Sequence, residues 1–306
     1  MAAAKYEQAY REAAKDDAQL ASWYRLRQAS ALYNHGQYEG DGEGLRQATD
    51  LYDAALSATS REKNPDYWAA IQNDLGNALS MQGEREGDRE TLTRAVAAYE
   101  AALTIWSKES APTDWARTQD NLGSVFAALG ERSGDAEDLS KAIDAYQAAL
   151  TIRTREHTPL DWAQSQTNLG TVLRLEGERS NDPLTRLDAI LAYQAALTIW
   201  TAEREPFTWA VTQSNLGNVL LSFARIGDTE SLTQAIDAYK AALTRLTRAD
   251  HPAAWAMTQN NLGSALTIRG ESEAGTASLT DAIAAFELAL AERTRERMPM
   301  QWARTQ

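Results

Sequence analysis

Apolar and polar residues alternate along this chain with a helical period, and the whole pattern recurs about every 47 residues. The tryptophans that mark it are Trp68, Trp115, Trp162, Trp209, Trp255 and Trp302, with one interval of 46 residues. The same period holds for Gly76, Gly123, Gly170, Gly217 and Gly263, and for Tyr52, Tyr99, Tyr146, Tyr193, Tyr239 and Phe286. Three residue types with one period predict tandem copies of a single supersecondary unit.

The unit that begins at Trp115 shows the first of two helices, with the sequence WARTQDNLGSVFAALGER. At 100° per residue, Trp115, Gln119, Leu122 and Phe126 share one face, which predicts a buried stripe. Gly123 lies at the edge of that stripe. Glycine costs roughly 1 kcal/mol of helix propensity, so we interpret it as a point of close helix approach.

The second helix of the unit, DLSKAIDAYQAALTIRTRE, has its apolar residues at the spacing of an amphipathic helix. Gly134 and Asp135 precede it and are predicted to end one helix and cap the next. Equivalent caps are predicted at Asp88, Asp182 and Asp228. A proline separates successive units, at Pro65, Pro112, Pro159, Pro206, Pro252 and Pro299.

A helical hairpin of this kind cannot bury its apolar faces alone, and stacked hairpins can. The fold class predicted is therefore all-α, a solenoid of tandem hairpins. We assign residues 1–19 to an N-terminal capping helix and 20–66 to a degenerate first hairpin. Residues 67–300 form five regular repeats of 46 or 47 residues, and 301–306 are the start of a truncated further repeat.

The last five residues, WARTQ at 302–306, repeat the sequence that opens the unit at 115–119. Three interpretations of this end stay open. The chain is a piece of a longer array that carries an effector domain, or the short helix acts as a lid on the last hairpin. In the third interpretation, the exposed end stacks on another copy of the chain.

These repeats resemble the tetratricopeptide repeat family. The residues that carry the resemblance are Leu122, Gly123, Phe126, Ala142, Tyr146, Ala149 and Pro159. The repeat is longer than the 34 residues of that family, and its Asn-Leu-Gly motif is similar to the repeats of kinesin light chains. The resemblance implies a right-handed superhelical α-solenoid with a concave groove that binds protein segments.

Composition excludes several other classes of protein. The chain has 43 acidic and 30 basic residues, a formal net charge of −13, which argues against nucleic-acid binding. It has no cysteine, and no segment of its sequence reads as a membrane span or signal peptide. We expect no membrane association and a cytoplasmic location.

The sequence contains no catalytic or metal-binding constellation, so we expect no enzyme activity, no cofactor and no metal. The three histidines, His35, His157 and His251, lie in different repeats. The recurring tryptophans are interpreted as core residues. The recurring glutamines on the core side of each first helix are interpreted as structural: Gln72, Gln119, Gln166, Gln213 and Gln259.

The opposite face of each first helix is rich in side-chain amides and hydroxyls, and the family resemblance places this face in the groove. An amide both donates and accepts hydrogen bonds, so a row of amides can pair with the main chain of an extended peptide. The predicted peptide-binding residues are Asn73, Asn77, Arg117, Asn121, Ser124, Gln164, Asn168, Thr171, Arg174, Asn215, Asn218, Asn260, Asn261 and Ser264. The alternative is that these asparagines bond to the adjacent helix and stiffen the stack.

The function predicted is a non-catalytic interaction module that binds an extended peptide or protein segment in a concave groove. One alternative is an architectural scaffold that self-associates through its C-terminal end. Another is a sensor segment that regulates an effector domain absent from this chain.

Overall fold

A computed structural model describes residues 2–15, 17–273, 275–294 and 299–305. The described residues are helical or lie in short connections, and none of them forms a strand. The all-α fold of tandem helical hairpins predicted from the sequence is confirmed. The chain divides into two compact units, Met1–Arg153 and Thr154–Gln306.

The first unit contains seven of the described helices. They are α1 (Ala2–Ala13), α2 (Ala18–Glu39), α3 (Gly42–Ala58), α4 (Pro65–Glu86), α5 (Arg89–Leu103), α6 (Pro112–Ser133) and α7 (Ala136–Leu150). The pairs α2–α3, α4–α5 and α6–α7 form antiparallel hairpins, and α1 packs on α2. Neighbouring hairpins meet through α3–α4 and α5–α6, so each apolar face is covered by the next element.

The second unit repeats this arrangement over the rest of the described chain. Its helices are α8 (Pro159–Arg179), α9 (Pro183–Leu197), α10 (Pro206–Ala224), α11 (Thr229–Leu243), α12 (Pro252–Ser272), α13 (Ala277–Leu290) and α14 (Pro299–Thr305). The hairpins are α8–α9, α10–α11 and α12–α13, and α14 packs on α13. The sequence at 292–298, ERTRERM, is rich in arginine, and its residues 295–298 lie outside the described residues. So do Met1, Asp16, Ala274 and Gln306.

The helix ends follow the capping signals in the sequence. Gly134 ends α6 in the left-handed region, with φ of 67°. The Asp135 carboxylate then accepts a hydrogen bond from the Glu137 N–H at the start of α7. Asp88, Asp182 and Asp228 cap α5, α9 and α11 in the same way. These caps satisfy backbone donors that the first helical turn leaves unpaired.

The repeated glycine and the repeated aromatic residue meet inside each hairpin. A Cβ atom added at Gly76 would lie 2.6 Å from the Tyr99 ring, and one at Gly217 would lie 2.7 Å from the Tyr239 ring. Tyr99 is only 1% exposed. The glycines therefore allow the close contact between helices that the sequence predicts, and a tyrosine ring from the second helix of the same hairpin occupies the space beside each glycine.

The repeated tryptophans pack where one repeat meets the next. Trp115 packs on a cluster of Ala69, Ala102 and Trp106, in which Trp106 is 4% exposed. In the second unit, Trp209 packs on the equivalent cluster around Trp200. The sequence interprets the recurring tryptophans as core residues, whereas the structure leaves them partly buried and packed against the edge of a core cluster.

Candidate functional site

The candidate site consists of the residues six and nine positions after each repeat tryptophan, and we call the surface that they form within each unit the amide face. Its members are Asp74, Asn77, Asn121, Ser124, Asn168, Thr171, Asn215, Asn218, Asn261 and Ser264. Apart from Asp74, which is exposed, these side chains are partly buried. They therefore combine contacts inside the protein with access to solvent.

Asn77 is the centre of a hydrogen-bond cluster in the first unit. Its Oδ1 accepts from the Tyr99 hydroxyl at 2.7 Å and from the Asn121 Nδ2 at 3.0 Å. Tyr99 belongs to the same hairpin, whereas Asn121 lies on the first helix of the next one. The cluster thus joins two repeats, and two donors at one oxygen fix the direction of the Asn77 amide.

The second unit contains the same cluster at equivalent positions. The Asn218 Oδ1 accepts from the Tyr239 hydroxyl and from the Asn261 Nδ2, both at 2.8 Å. Two independent copies of one geometry show that it follows from the repeated sequence. In both, an asparagine nine residues after a tryptophan pairs with one six residues after the next tryptophan.

The tyrosines that support the amide face remain neutral donors. Burial raises the pKa of Tyr99 well above its ordinary value of 10.0, with a smaller contribution from the Glu84 carboxylate. Burial likewise raises the pKa of Tyr239. Because neither hydroxyl ionises near neutral pH, the hydrogen bonds to Asn77 and Asn218 persist across the physiological range.

Each cluster leaves at least one hydrogen-bonding atom unused among the described residues, although the Asn261 Oδ1 of the second cluster accepts from the Asn260 Nδ2 at 3.4 Å. The Asn77 Nδ2 has no partner there, and neither has the Asn121 Oδ1. The Asn218 Nδ2 is unused in the second unit. The two interpretations of the asparagines therefore apply to different atoms. In Asn77, Asn121 and Asn218, one half of the amide joins repeats and the other half stays available.

Smaller side chains replace asparagine at some positions of the amide face. Ser124 lies 3.0 Å from the Tyr146 hydroxyl, and Thr171 accepts from Tyr193 at 3.0 Å. Asn168 accepts from Gln164 Nε2 at 2.9 Å. Ser264 donates to the main-chain oxygen of Asn260. Asn215 has no hydrogen bond among the described residues and keeps both halves of its amide free.

Two predicted site residues lie behind this surface and link repeats instead. Asn73 is 2% exposed, and its Oδ1 lies 3.1 Å from the Thr118 hydroxyl of the next first helix. Asn260 has the same relation to Thr305, at 2.9 Å. Asn73 is therefore outside the surface that a ligand can reach, because its position five residues after the tryptophan faces the neighbouring helix.

The two predicted arginines are engaged by local carboxylates. Arg117 donates to Asp114 at 2.6 Å, and Arg174 donates to Glu178 at 2.9 Å. Burial alone would lower the pKa of Arg174, but the charge interactions and hydrogen bonds with Glu178 and Tyr193 together raise the pKa. Arg174 remains a cation, with its Nε buried and unpaired among the described residues.

A depression of about 160 Å³ opens on the amide face of the first unit. It is lined by Tyr33, Asn77, Ser80, Met81, Glu84, Tyr99, Asn121 and Ser124. The unused Asn77 donor and Asn121 acceptor therefore lie beside a space of about one side chain. This arrangement can hydrogen-bond a main-chain amide while the depression receives the adjacent side chain.

The described residues contain no group of three or more histidine, aspartate or glutamate side chains placed to hold a metal ion. None of the helices in the described part of the chain combines the length and the apolar character that a bilayer crossing requires.

Sequence reasoning missed the tyrosines behind the amide face. It also missed the threonines that hydrogen-bond to the first helix of the preceding repeat, as Thr118 does to Asn73. Both left a signal in the sequence. Tyrosine has the same period as the glycine that it covers, and threonine or serine recurs three residues after most of the tryptophans, as in Thr118, Thr212 and Thr258.

Residues 68–104, which cover most of α4 and all of α5, match the profile of the tetratricopeptide repeat. This segment of the chain is therefore a tetratricopeptide repeat. The matched repeat is the one that contributes Asn77 and Tyr99 to the amide face. Its helices recur in the hairpins α6–α7, α8–α9, α10–α11 and α12–α13.

Solved structures show similarity over most of this chain. The crystal structure of BtubC (BKLC) from P. vanneervenii aligns with a TM-score of 0.54 and 21% identity, covering 79% of this chain and 90% of that chain. The apo form of RapI aligns with a TM-score of 0.53 and 14% identity, covering 95% of this chain and 76% of that chain. These identities establish a shared fold alone. No curated protein sequence matches the chain.

Proposed function

We propose that this chain, which contains a tetratricopeptide repeat at residues 68–104, is a non-catalytic interaction module whose amide face binds the main chain of an extended protein segment. The family supports a protein-interaction role in general terms. The observation that carries the finer proposal is the pair of clusters around Asn77 and Asn218. Each holds its amides in a fixed direction and leaves hydrogen-bonding atoms unused on a partly exposed surface.

Fixed amides favour binding because little conformational entropy is lost when the ligand arrives. The Asn77 Oδ1 is held by two donors, so its Nδ2 is directed before a peptide binds. An N–H donor and a carbonyl acceptor are the two groups that every peptide unit offers in return. We therefore expect affinity to come from the ligand main chain, and selectivity from side chains that enter the depression beside Met81 and Glu84.

The test is a peptide-display selection on the full chain, with counter-selection on the triple variant Asn121→Ala, Asn168→Ala and Asn215→Ala. We expect enriched peptides to bind the triple variant roughly ten-fold or more weakly, since each lost hydrogen bond contributes about 0.5–1.5 kcal/mol. Binding is measured by fluorescence anisotropy, after circular dichroism has shown unchanged helix content.

The matched control removes three exposed amides from second helices, with Gln47→Ala, Gln147→Ala and Gln234→Ala. This control should bind like the parent chain. Equal binding by the parent and the asparagine variant would show that the asparagines serve only the stack, and the proposal would then be wrong.

A further inference from the structure

A second cleft, of about 610 Å³, opens on the other side of the repeats in the first unit, between α5 and α7. We call it the second-helix notch. Its floor is α6, which contributes Leu122, Phe126 and Leu129, and its walls include Val96 of α5 and Ala148 of α7. Leu122 and Leu129 are at most 7% exposed. The floor is therefore apolar, and its side chains are held in place by the protein interior beneath them.

An unpaired amide projects into this notch. Gln119 lines it, is partly buried and has no hydrogen bond among the described residues. It belongs to the recurring glutamines that the sequence interprets as structural, yet no bond to a neighbouring helix explains it. Asn121 and Ser124 of the amide face lie on the opposite side of the same helix, so the notch is a separate surface.

The same feature recurs in the second unit. A cleft of about 300 Å³ lies between α9 and α11, with Gln213, Leu216 and Leu220 from α10 in its lining. These residues are four, seven and eleven positions after Trp209, as Gln119, Leu122 and Phe126 are after Trp115. An amide above an apolar floor is thus a repeated property of this side of the protein.

Charges at the rim of the first notch are unbalanced. Arg89 pairs with Asp138 at 3.4 Å, and Lys141 pairs with Glu137 at 2.7 Å. Two further carboxylates line the notch, Glu100 on the α5 wall and Asp144 on the α7 wall. Neither forms an ion pair among the described residues, so the charge that remains unneutralised at the rim is negative. A cation is the complementary group.

We propose that the second-helix notch binds an amphipathic peptide segment that carries one large apolar side chain beside a lysine or arginine. The apolar side chain lies on the floor formed by Leu122 and Phe126. The cation lies between Glu100 and Asp144, and the Gln119 amide bonds to the main chain of the segment. An apolar anchor surrounded by polar contacts is the usual composition of a binding centre.

The second unit offers an internal comparison for the charge in this proposal. Gln194 occupies the position of Glu100 there, 32 residues after its tryptophan, while Asp237 retains the carboxylate equivalent to Asp144. The second cleft is also about half the volume. We therefore assign the cationic segment to the first notch, and Glu100→Gln reproduces the lining found in the second.

The probe is a short fluorescein-labelled peptide of alternating Leu-Lys-Lys-Leu units, titrated with the full chain at about physiological ionic strength. Two twin peptides separate the contributions: alanine replaces leucine in one, and glutamate replaces lysine in the other. We expect the Leu/Lys peptide to bind and both twins to bind roughly ten-fold or more weakly, because the notch requires both properties.

Variants locate the binding. Glu100→Gln with Asp144→Asn should weaken binding of the Leu/Lys peptide roughly ten-fold. The charge-matched control, Glu62→Gln with Glu131→Gln, removes two exposed carboxylates elsewhere in the same unit and should leave binding unchanged. Ala148→Trp should fill the notch and abolish binding, with melting temperature as the check on folding.

Three results would overturn the proposal. If the Glu100 and Asp144 variant and the Glu62 and Glu131 variant weakened peptide binding equally, the peptide would be attracted to the acidic protein in general and not to the notch. If the Leu/Lys peptide and its alanine twin bound equally well, the apolar floor of the notch would not contribute to binding. Loss of binding in Asn121→Ala, with the Glu100 and Asp144 variant unaffected, would place the peptide on the amide face.

Discussion

At the scale of single residues, Gly76 and Tyr99 decide how closely the two helices of a hairpin approach. The glycine leaves room for the ring, and the ring carries the hydroxyl that orients Asn77. One glycine therefore affects both packing and the amide face. The sequence predicts the close approach, because glycine in a helix interior needs a reason. It does not predict the hydroxyl contact, since helical period gives the face of a residue but not its partner.

We expect Gly76→Ala to destabilise the protein. Its Cβ would lie 2.6 Å from the Tyr99 ring, and overpacking of this kind costs about 1–3 kcal/mol, while the gain in helix propensity returns about 1 kcal/mol. The net loss should be roughly 1 kcal/mol, measured by urea unfolding.

Gly42→Ala is the matched control, because Gly42 opens α3 with no atom within 4 Å of an added Cβ. This substitution should stabilise the chain by about 0.4–1 kcal/mol. If both variants gained stability, the ring would have room to move and the packing argument would fail.

At the scale of helices, the second helices α5, α7, α9 and α11 each start at an aspartate that accepts backbone hydrogen bonds. Hydrogen bonds from Thr91 lower the pKa of Asp88 below its ordinary value of 3.8, and those from Thr185 lower the pKa of Asp182. Hydrogen bonds from Ser231 do the same for the pKa of Asp228. A lowered folded-state pKa stabilises the fold above pH 3.8, and this stabilisation is lost as the pH falls through the folded value.

The triple variant Asp88→Ala, Asp182→Ala and Asp228→Ala should melt several degrees below the parent at neutral pH. The difference in melting temperature between the parent and the variant should become smaller below pH 3.8. The capping aspartates of the parent become protonated there, whereas the variant has no capping carboxylates. Thermal melts followed by circular dichroism across this range measure the effect.

The asparagine triple at the same positions is the control. Asparagine caps helices about as well as aspartate and does not titrate. Its melting temperature should stay near that of the parent at neutral pH. A gap between the parent and the alanine variant that does not change with pH would contradict ionised caps.

The helical elements were largely predictable, whereas the junctions between repeats were not. Glycine, aspartate and proline signals act locally, so Gly134 and Asp135 mark a boundary whatever surrounds them. The Asn77–Asn121 bond depends on the stagger between neighbouring hairpins, which no local signal encodes. Trp23 shows the same limit. The 47-residue period places a tryptophan at position 21, where the chain has a buried Ala21. Trp23, two residues later, is 42% exposed and meets the Tyr24 ring edge to face, with Arg27 over its own ring.

At the scale of the whole chain, the architecture consists of contacts between near neighbours in sequence. Within each unit, every helix packs on the elements directly before or after it. The boundary after Arg153 keeps the ion pair of Arg153 with Asp120, at 3.0 Å, inside the first unit. Stability in such arrays approximates a sum of repeat and nearest-neighbour contributions.

The fragment of residues 1–153 should therefore fold alone and unfold cooperatively in urea. Circular dichroism of the fragment should give the helix content that α1 to α7 require. Hydrogen exchange should show protection in α4 and α5, because this hairpin has a neighbouring hairpin on each side within the fragment. An unfolded fragment would mean that stability depends on contacts beyond near neighbours.

The seating of each tyrosine ring on a glycine also has a mechanical consequence. The ring prevents the two helices of a hairpin from sliding along each other, so a hairpin under tension must open as a unit. A chain drawn out from its ends would lengthen in nearly equal increments. Each opened repeat of 47 residues would release about 170 Å of extended chain. The end-to-end length of the protein would therefore increase under force in separate steps, one for each repeat.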